Sequence, residues 1–209
     1  MNTPAANSRE TAKSLRTRTR ILRAAMSQMA LVGYHGADNA CIAAAAGLTR
    51  GALLYHFPVR EDLVLALIPY IEAERIALFE QAAVAPAGVD ASEHAIDSYW
   101  KLLHETPFLA FAELEAAARA DDMIRLALSD AQNRFDRAQL GGRFNALAQA
   151  GIDPRFQASR DLGRFLLEGL ARGAMTYDQT RRADRLISVV KRAVRALNRK
   201  GEVLDLWMD

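Results

Sequence analysis

Apolar residues recur at helical spacing along this chain, and predicted helix 1 (residues 13–32) shows the pattern clearly. Its apolar face consists of Leu15, Leu22, Ala25, Met26, Met29 and Val32. Its opposite face is basic and consists of Lys13, Arg16, Arg20 and Arg23. No stretch alternates apolar and polar residues long enough to predict a sheet. The pattern predicts an all-α protein of about nine helices.

Residues 39–57, NACIAAAAGLTRGALLYHF, predict two short helices joined by a tight turn. Asp38 is suited to cap the first helix, which ends before Gly47. Thr49 is suited to cap the second, which runs to about His56 before Phe57-Pro58 stops it. This outline is typical of a helix-turn-helix whose second helix enters a DNA major groove. Alanine-rich helices followed by glycine also occur in helical proteins that do not bind DNA.

Helical spacing continues through the rest of the chain. Predicted helix 4 covers residues 60–84, and Pro69 should kink or split it. After a loop at 85–88, the remaining helices are predicted at 91–104, 107–120, 121–150, 159–177 and 183–200. We expect two domains, a DNA-binding head at 13–59 and a body at 60–200. No apolar run reaches about 18 residues, so no membrane span is expected.

The net charge of +2 hides an asymmetry. Residues 1–60 hold eight Lys or Arg against two acidic residues, whereas the remainder holds 19 basic and 23 acidic residues. A basic first quarter favours a head that binds a polyanion. The single cysteine, Cys41, excludes an internal disulfide and fits a cytoplasmic location. A small core residue is the favoured interpretation of Cys41, with a redox sensor as the alternative.

Particular residues of predicted helix 3 are suited to DNA contact. Thr49 and Arg50 lie at its N-terminal end, where contacts with base edges concentrate. Ala52 is small enough to let the backbone approach the bases. Tyr55 and His56 can donate to phosphates, and Arg60 can bind a phosphate at the start of helix 4.

The full spacing resembles the TetR family of bacterial transcriptional regulators. The matching segments are TRTRILxAA at 17–25, GY at 33–34, IAxAAGLTxGxLxYHFP at 42–58 and REDL at 60–63. The resemblance covers the first quarter to third of the chain. It implies a homodimer in which each subunit has a three-helix head and a helical body that dimerises and binds an effector.

The resemblance also assigns roles to positions. It makes Thr49, Arg50, Ala52, Tyr55 and His56 the DNA-facing residues of the recognition helix. Gly51 then permits close approach, Leu53 and Phe57 belong to the core, and Arg60 stands where a phosphate-binding lysine is usual. The predicted DNA-binding residues are Lys13, Arg16, Arg20, Asp38, Thr49, Arg50, Gly51, Ala52, Tyr55, His56 and Arg60. Departures at Asn39, Ala40, Cys41, Ala44, Leu54 and Val59 leave the operator sequence unpredicted.

Predicted helices 8 and 9 are the candidates for the dimer interface. Helix 8 carries Leu162, Phe165, Leu166, Gly169, Leu170 and Gly173 on or near one side. Helix 9 carries Leu186, Val189, Val190, Ala193 and Leu197 at helical spacing. Two such pairs would form a four-helix bundle between subunits. The alternative is that these stripes pack inside one subunit.

Interleaved aromatic and ionisable residues of the body are candidates for an effector pocket. They are Trp100, His104, Phe108, Phe111, Glu115, Phe144, Phe165 and Glu168. A buried Glu115 or Glu168 needs a partner, either a cationic or hydrogen-bonding ligand or a neighbouring arginine, Arg119 or Arg172. Taken singly, each of these residues also fits an ordinary core or surface position.

The sequence contains no catalytic motif, phosphate loop or dinucleotide fingerprint, and its four histidines lack the spacing of a zinc site. We therefore predict a protein that is not an enzyme and needs no cofactor or metal. The main hypothesis is a repressor that binds a palindromic operator as a dimer and is released by a small-molecule effector. An activator fits the same sequence. The alternative from another class is a helical carrier or enzyme with an incidental helix-turn-helix.

Overall fold

The computed structural model describes residues 4–82, 85–141, 154–174 and 180–200. These residues form nine helices and no strand, which confirms the all-α prediction. The helices are α1 (Pro4–Gly36), α2 (Asn39–Ala45), α3 (Arg50–His56), α4 (Arg60–Ala82), α5 (Ala91–Leu102), α6 (Thr106–Ala117), α7 (Asp122–Gly141), α8 (Pro154–Ala174) and α9 (Thr180–Lys200). No helix in these ranges is long and apolar enough to cross a membrane.

Helix α1 begins earlier than predicted and breaks where predicted. It starts at Pro4, and Gly33 interrupts it with φ 77° and ψ 169°. The predicted apolar face is correct at its centre, where Ala25 and Met29 are fully buried. It is wrong at both ends, because Leu15 is 59% and Val32 is 47% exposed.

The turn between α2 and α3 is built from the predicted residues. Gly47 adopts φ 62°, its N–H bonds the carbonyl of Ala44, and the N–H of Leu48 bonds the carbonyl of Ala43. This pair of bonds is a Schellman motif, which needs a left-handed residue and therefore favours glycine. Leu48 packs against the core, so the turn and the core stabilise each other.

Of the two predicted outcomes at Pro69, a kink or a split, the split does not occur, because helix α4 continues through this residue. Proline removes one backbone hydrogen bond from a helix interior and crowds the preceding turn. Leu67, Ile68 and Ile71 are almost completely buried on either side of it. Their burial holds both halves of the helix in place, since each such side chain contributes about 1.5–3 kcal/mol. Pro69 itself is exposed.

The chain divides into two compact units. The first consists of Met1–Arg75 and Thr106–Asn133, and the second of Ile76–Glu105 and Arg134–Asp209. The first unit therefore contains α1–α3, the first part of α4, α6 and the start of α7. One continuous core joins these helices, with Ile42 and Leu53 from the helix-turn-helix and Leu114 and Ile124 from α6 and α7. The predicted boundary at residue 59 concerns function, and it stays a prediction.

The second unit is held together by α5, α8 and α9. Val190, Val194 and Leu197 of α9 are buried, and a Cβ at Gly163 of α8 would lie 3.5 Å from a methyl group of Val194. Helix α5 joins α9 through ion pairs, with Lys191 Nζ 2.7 Å from Asp97 and Arg195 paired with Glu93. Apolar packing thus holds α8 against α9, and charge pairs hold α5 against α9.

Candidate nucleic-acid interface

Helix α3 buries one face and exposes the other. Leu53 is fully buried and Phe57, which caps the helix, is 1% exposed. This confirms the core positions that the family resemblance implied. On the opposite side the exposed positions include Thr49, Arg50, Gly51 and Tyr55, with 82% of Tyr55 accessible. An arginine, a hydroxyl and an aromatic side chain therefore share a surface over a backbone that glycine leaves bare.

Both helices of the motif begin at a side-chain cap. Asp38 accepts a 2.8 Å hydrogen bond from the N–H of Cys41, and Thr49 accepts a 3.1 Å bond from the N–H of Ala52. These bonds satisfy amide groups that have no partner inside the helix and stabilise each helix by about 1 kcal/mol. The predicted caps are confirmed. Asp38 and Thr49 thus position the motif, and Thr49 Oγ1 is committed to the backbone of α3.

Arg18 holds the other end of α3. Its Nη1 donates a 2.7 Å hydrogen bond to the carbonyl of His56, and its guanidinium carbon lies 4.1 Å from the ring centroid of Phe57. A cation at a helix C-terminus stabilises the unpaired carbonyls there. The head of the Arg18 side chain thus reaches the end of the recognition helix.

Both partial burial and the neighbouring Arg18 affect the pKa of His56. Partial burial lowers the pKa of His56, and the positive charge of Arg18 lowers it further. The imidazole is therefore disposed to be neutral at physiological pH, where it can donate one hydrogen bond without contributing a full charge. Its ring stands edge-on to that of Tyr55 at 5.2 Å.

The basic face of α1 is largely open. Lys13, Arg16 and Arg20 are all exposed. Arg23 differs, because a hydrogen bond with Tyr70 of α4 raises its pKa, with Glu74 adding a smaller contribution. The three exposed cations remain available to an anion, as the sequence predicts, and Arg23 is engaged with α4.

Arg60 lies at the start of α4 but its guanidinium points to the protein backbone. Nη1 donates to the carbonyl of Ala37 at 2.9 Å and Nη2 to the carbonyl of Tyr34 at 2.6 Å. Its guanidinium carbon also lies 4.7 Å from the ring centroid of Tyr34. A phosphate contact by Arg60 stays a prediction. The three interactions join the start of α4 to the end of α1 and to Ala37.

Cys41 is half-buried, and its Sγ lies 3.1 Å from Oε1 of Gln28 on α1. The thiol therefore joins α2 to α1. Within the described ranges, no group of three or more His, Cys, Asp or Glu side chains could hold a metal ion.

The predicted pocket residues fall into both units and take different environments. In the first unit Phe108 and Phe111 are buried, and Glu115 is half-buried. In the second, Trp100 and His104 stand edge-on at 4.7 Å, and His104 is exposed with Nδ1 2.8 Å from the carbonyl of Trp100. Phe165 is 63% exposed. Phe144 lies outside the described residues.

Glu168 has partners within the protein. It accepts a 2.7 Å bond from the hydroxyl of Tyr99 and a 2.9 Å bond from Nε of Arg164, which also donates to Asp136 at 2.7 Å. Burial lowers the pKa of Arg164, but its bond to Glu168 and the surrounding carboxylates more than offset this and raise it. Glu168 thus pairs with Arg164, one turn before it on α8, whereas the sequence analysis suggested Arg172, one turn after it.

Sequence reasoning missed a buried charge in the first unit. Arg75 of α4 is only 3% exposed, and its guanidinium carbon lies 3.7 Å from the ring centroid of Phe111 and 5.0 Å from that of Phe108. It donates to Oε1 of Gln132 at 3.3 and 3.4 Å. The apolar spacing of α4 gave no signal of it, because long side chains tolerate either face. Phe108 and Phe111 therefore surround a cation.

Helices α8 and α9 each carry a second, exposed apolar face. Its members are Phe165 (63% exposed), Leu166 (47%), Leu186 (40%) and Val189 (49%). A Cβ at Gly169, on the same side of α8, would meet nothing within 4 Å. Val190 and Leu197, which the sequence analysis grouped with this surface, are buried against the rest of the protomer. We call Phe165, Leu166, Leu186 and Val189 the α8–α9 stripe.

Comparisons with known proteins show what this chain is similar to. Residues 21–67 match the profile described as "Bacterial regulatory proteins, tetR family". No curated protein matches the sequence. Among solved structures, a protein from Rhodococcus assigned to the TetR family shares 21% identity and a TM-score of 0.62, covering 87% of this chain and 97% of that one. One from Mesorhizobium loti with the same assignment shares 20% identity and a TM-score of 0.64, covering 88% and 96%.

A third similar structure is a complex of the multidrug binding protein EbrR with imidazole, at 21% identity and a TM-score of 0.55, covering 84% of this chain and 93% of that one. The same protein in complex with proflavin gives a TM-score of 0.54 at 22% identity. These likenesses concern the fold over nearly the whole chain, and the sequence match concerns the helix-turn-helix. Residues 21–67 thus match the DNA-binding domain of the TetR family of bacterial regulators, and the chain has the fold of the solved TetR-family structures.

Proposed function

We propose that this regulator is a repressor that binds a palindromic operator as a homodimer and is released by a small organic effector. The observation that carries the proposal is the exposed face of α3, capped at Thr49 and held at its far end by Arg18. Arg50, Gly51, Ala52 and Tyr55 would face the bases and the adjoining backbone. Lys13, Arg16 and Arg20 would add phosphate contacts from α1.

The remaining predicted DNA-binding residues take supporting roles in this proposal. Asp38 is an anion that caps α2, so it positions the motif and does not touch phosphate. His56 adjoins the end of α3 and can donate to a phosphate in its neutral form. Arg60 is engaged with two backbone carbonyls. Chromosomal DNA as the target implies a cytoplasmic location and no enzymatic role.

The α8–α9 stripe supports the homodimer. Four large apolar side chains on one side of two adjacent helices expose 40–63% of their surfaces, which favours burial against another protein surface. A second copy of the same stripe is self-complementary across a two-fold axis. Gly169 lets the backbones approach closely. Two recognition helices related by this axis would enter successive major grooves, about one helical turn apart.

The effector site is proposed around Phe108, Phe111 and Glu115 of α6, beside the buried Arg75. Aromatic walls with a few charged groups suit a flat organic molecule. Effector binding in the body would move α4, which runs through both units, and change the spacing of the two heads. It can lower DNA affinity only by as much as it prefers the released state.

DNA binding is tested with a fluorescent duplex from the region upstream of the protein's own gene. We expect saturable binding whose logarithm falls with the logarithm of salt concentration, by about 0.9 for each phosphate contacted. Footprinting should reveal two protected half-sites related by symmetry. Absence of binding at low salt would contradict a DNA-binding regulator. A single protected half-site would contradict the palindrome and leave DNA binding intact.

Release is tested by titrating proflavin and imidazole into the complex, because both bind EbrR. A ligand of the proposed site should bind the free protein and lower its affinity for the duplex. By linkage, DNA should lower the affinity for that ligand by the same factor. Binding of a ligand with no change in DNA affinity would contradict release by that compound.

A further inference from the structure

Side chains from two other helices, α4 and α6, bind the turn that leads from α1 into α2. We define the Gly33 turn as residues 33–38, where the N–H of Ala37 bonds the carbonyl of Gly33 at 3.1 Å and that of Asp38 bonds the carbonyl of Gly36 at 2.9 Å. Ala37 is fully buried, and Asp38 caps α2. The direction in which α2 leaves α1 therefore depends on this turn.

Glu113 of α6 holds the first side. Its Oε2 accepts a 3.2 Å hydrogen bond from the backbone N–H of Tyr34, the amide that the break at Gly33 leaves outside the regular helix. The same oxygen lies 3.1 Å from the position that a Cβ at residue 33 would occupy. Two features therefore favour glycine at residue 33: its backbone φ of 77°, and the carboxylate oxygen that lies where a side chain would begin.

Arg60 of α4 holds the second side. It donates to the carbonyls of Tyr34 and Ala37 and stacks on the ring of Tyr34. Tyr34 therefore gives its N–H to α6 and its carbonyl to α4. One side chain from α6 and one from α4 therefore bind the same residue of the turn.

We propose that Glu113, acting with Arg60, is a positioning residue for DNA binding. The two side chains form a clamp on the Gly33 turn that sets the direction of α2 and, through the Gly47 turn, of the recognition helix. Releasing the clamp lets the turn populate other conformations. The apparent DNA affinity then falls in proportion to the fraction of molecules that keep the competent one. The proposal rests on DNA binding by the helix-turn-helix.

Whether DNA binding weakens or tightens when Glu113 is removed distinguishes a positioning role from a purely electrostatic one. Glu113 is negatively charged, so its removal should tighten DNA binding if only charge mattered. The clamp predicts the opposite for Glu113→Ala, because Ala cannot accept the bond from Tyr34. Glu113→Gln removes the same charge but keeps an acceptor oxygen. Glu80→Ala, at an exposed position of α4, removes an equal charge from outside the clamp.

The experiment measures the affinity of each full-length variant for the upstream duplex and for an unrelated duplex, together with hydrogen exchange of the Tyr34 amide. Glu113→Ala should bind the upstream duplex about tenfold more weakly, as expected for loss of a hydrogen bond to a charged group. Its Tyr34 amide should exchange faster while amides in the core of α4 keep their protection. Glu113→Gln and Glu80→Ala should bind at least as tightly as the wild type.

Arg60→Lys completes the test. Lysine keeps the charge but cannot reach two carbonyls with a planar fork. The clamp predicts weaker specific binding with an unchanged salt dependence. A phosphate contact predicts retained affinity for Arg60→Lys and a salt slope smaller by about 0.9 for Arg60→Met.

Three results would overturn the proposal: unchanged or tighter DNA binding by Glu113→Ala, equal losses in Glu113→Ala and Glu113→Gln, or unchanged exchange at Tyr34. If the wild type itself bound no DNA, the proposed regulator would fail at that step. The exchange measurement would still report whether Glu113 holds the turn, so the two failures are distinguishable.

Discussion

The helix-turn-helix and the second unit are stabilised over very different distances along the chain. Asp38 and Thr49 each cap a helix by bonding an amide three residues away. In the second unit Tyr99 bonds Glu168, 69 residues away, and Lys191 bonds Asp97, 94 residues away. A motif built from local bonds can be recognised in a sequence, whereas a pair of residues far apart along the chain cannot.

The two regions also differ in what they leave at the surface. The helix-turn-helix exposes polar and charged groups, with Arg50 and Tyr55 on α3 and the three cations of α1. The second unit pairs partly buried charges internally, through Arg164 with Glu168 and Asp136. Its surface also carries the apolar α8–α9 stripe. In the proposed function, DNA binds the first surface and a second subunit covers the other.

The largest expected effect is a loss of stability when Phe57 is replaced, compared with a much smaller loss when Phe165 is replaced. Phe57 is 1% exposed and Phe165 is 63% exposed. Phe57→Ala should lower the free energy of unfolding by about 3–5 kcal/mol, because it leaves a cavity in the core beneath α3. Phe165→Ala should change protomer stability much less. Urea denaturation at one protein concentration measures both, and equal losses would contradict the difference between the regions.

The next effect concerns the proposed dimer. Val189→Glu places a charge in the α8–α9 stripe and should raise the dimer dissociation constant about 30-fold or more, as for an interface residue that contributes at least 2 kcal/mol. Val89→Glu is a matched control, because Val89 is 48% exposed and Val189 49%. Sedimentation measures the association. If both variants dimerised like the wild type, the stripe would not be the interface.

A smaller effect compares helix caps in the two regions. Thr49 caps α3, and Asp90 caps α5 by accepting 3.0 Å bonds from the N–H groups of Ser92 and Glu93. Thr49→Ala and Asp90→Ala should each cost about 1 kcal/mol of stability in thermal unfolding. Only Thr49→Ala should also weaken DNA binding, and Thr49→Ser should restore it. A similar loss of DNA affinity in Asp90→Ala would remove the distinction.

The smallest effect is the pH dependence of His56. Its pKa in the folded protein is below the value of 6.5 for a free side chain, so the unfolded chain binds the proton more readily. Acidification below about pH 6.5 should therefore destabilise the wild type relative to His56→Gln, until the pH falls below the folded pKa. Above that window the difference between the two proteins should stay constant. Denaturation curves across the window test the sign.

Features built from neighbouring residues could be predicted from the sequence, and features built from distant residues could not. Asp38, Gly47 and Thr49 predicted the helix-turn-helix because caps and turns depend on neighbouring residues. The grip of Arg18 on His56 and of Glu113 on Tyr34 was not predictable, because each joins residues that only the tertiary fold brings together. Helix α9 shows a third case. Its apolar residues form two faces, one buried and one exposed, and spacing alone could not assign them.

The most direct test of the central claim compares two exposed arginines of the first unit. Arg50 lies on the exposed face of α3, and Arg119 follows α6. Each is changed to alanine, and affinity is measured for the upstream duplex and for an unrelated duplex over a range of salt concentrations. Arg50→Ala should weaken specific binding more than non-specific binding, and Arg119→Ala should affect neither. Equal losses on both duplexes for Arg50→Ala, or equal effects of the two substitutions, would contradict sequence reading by this face of α3.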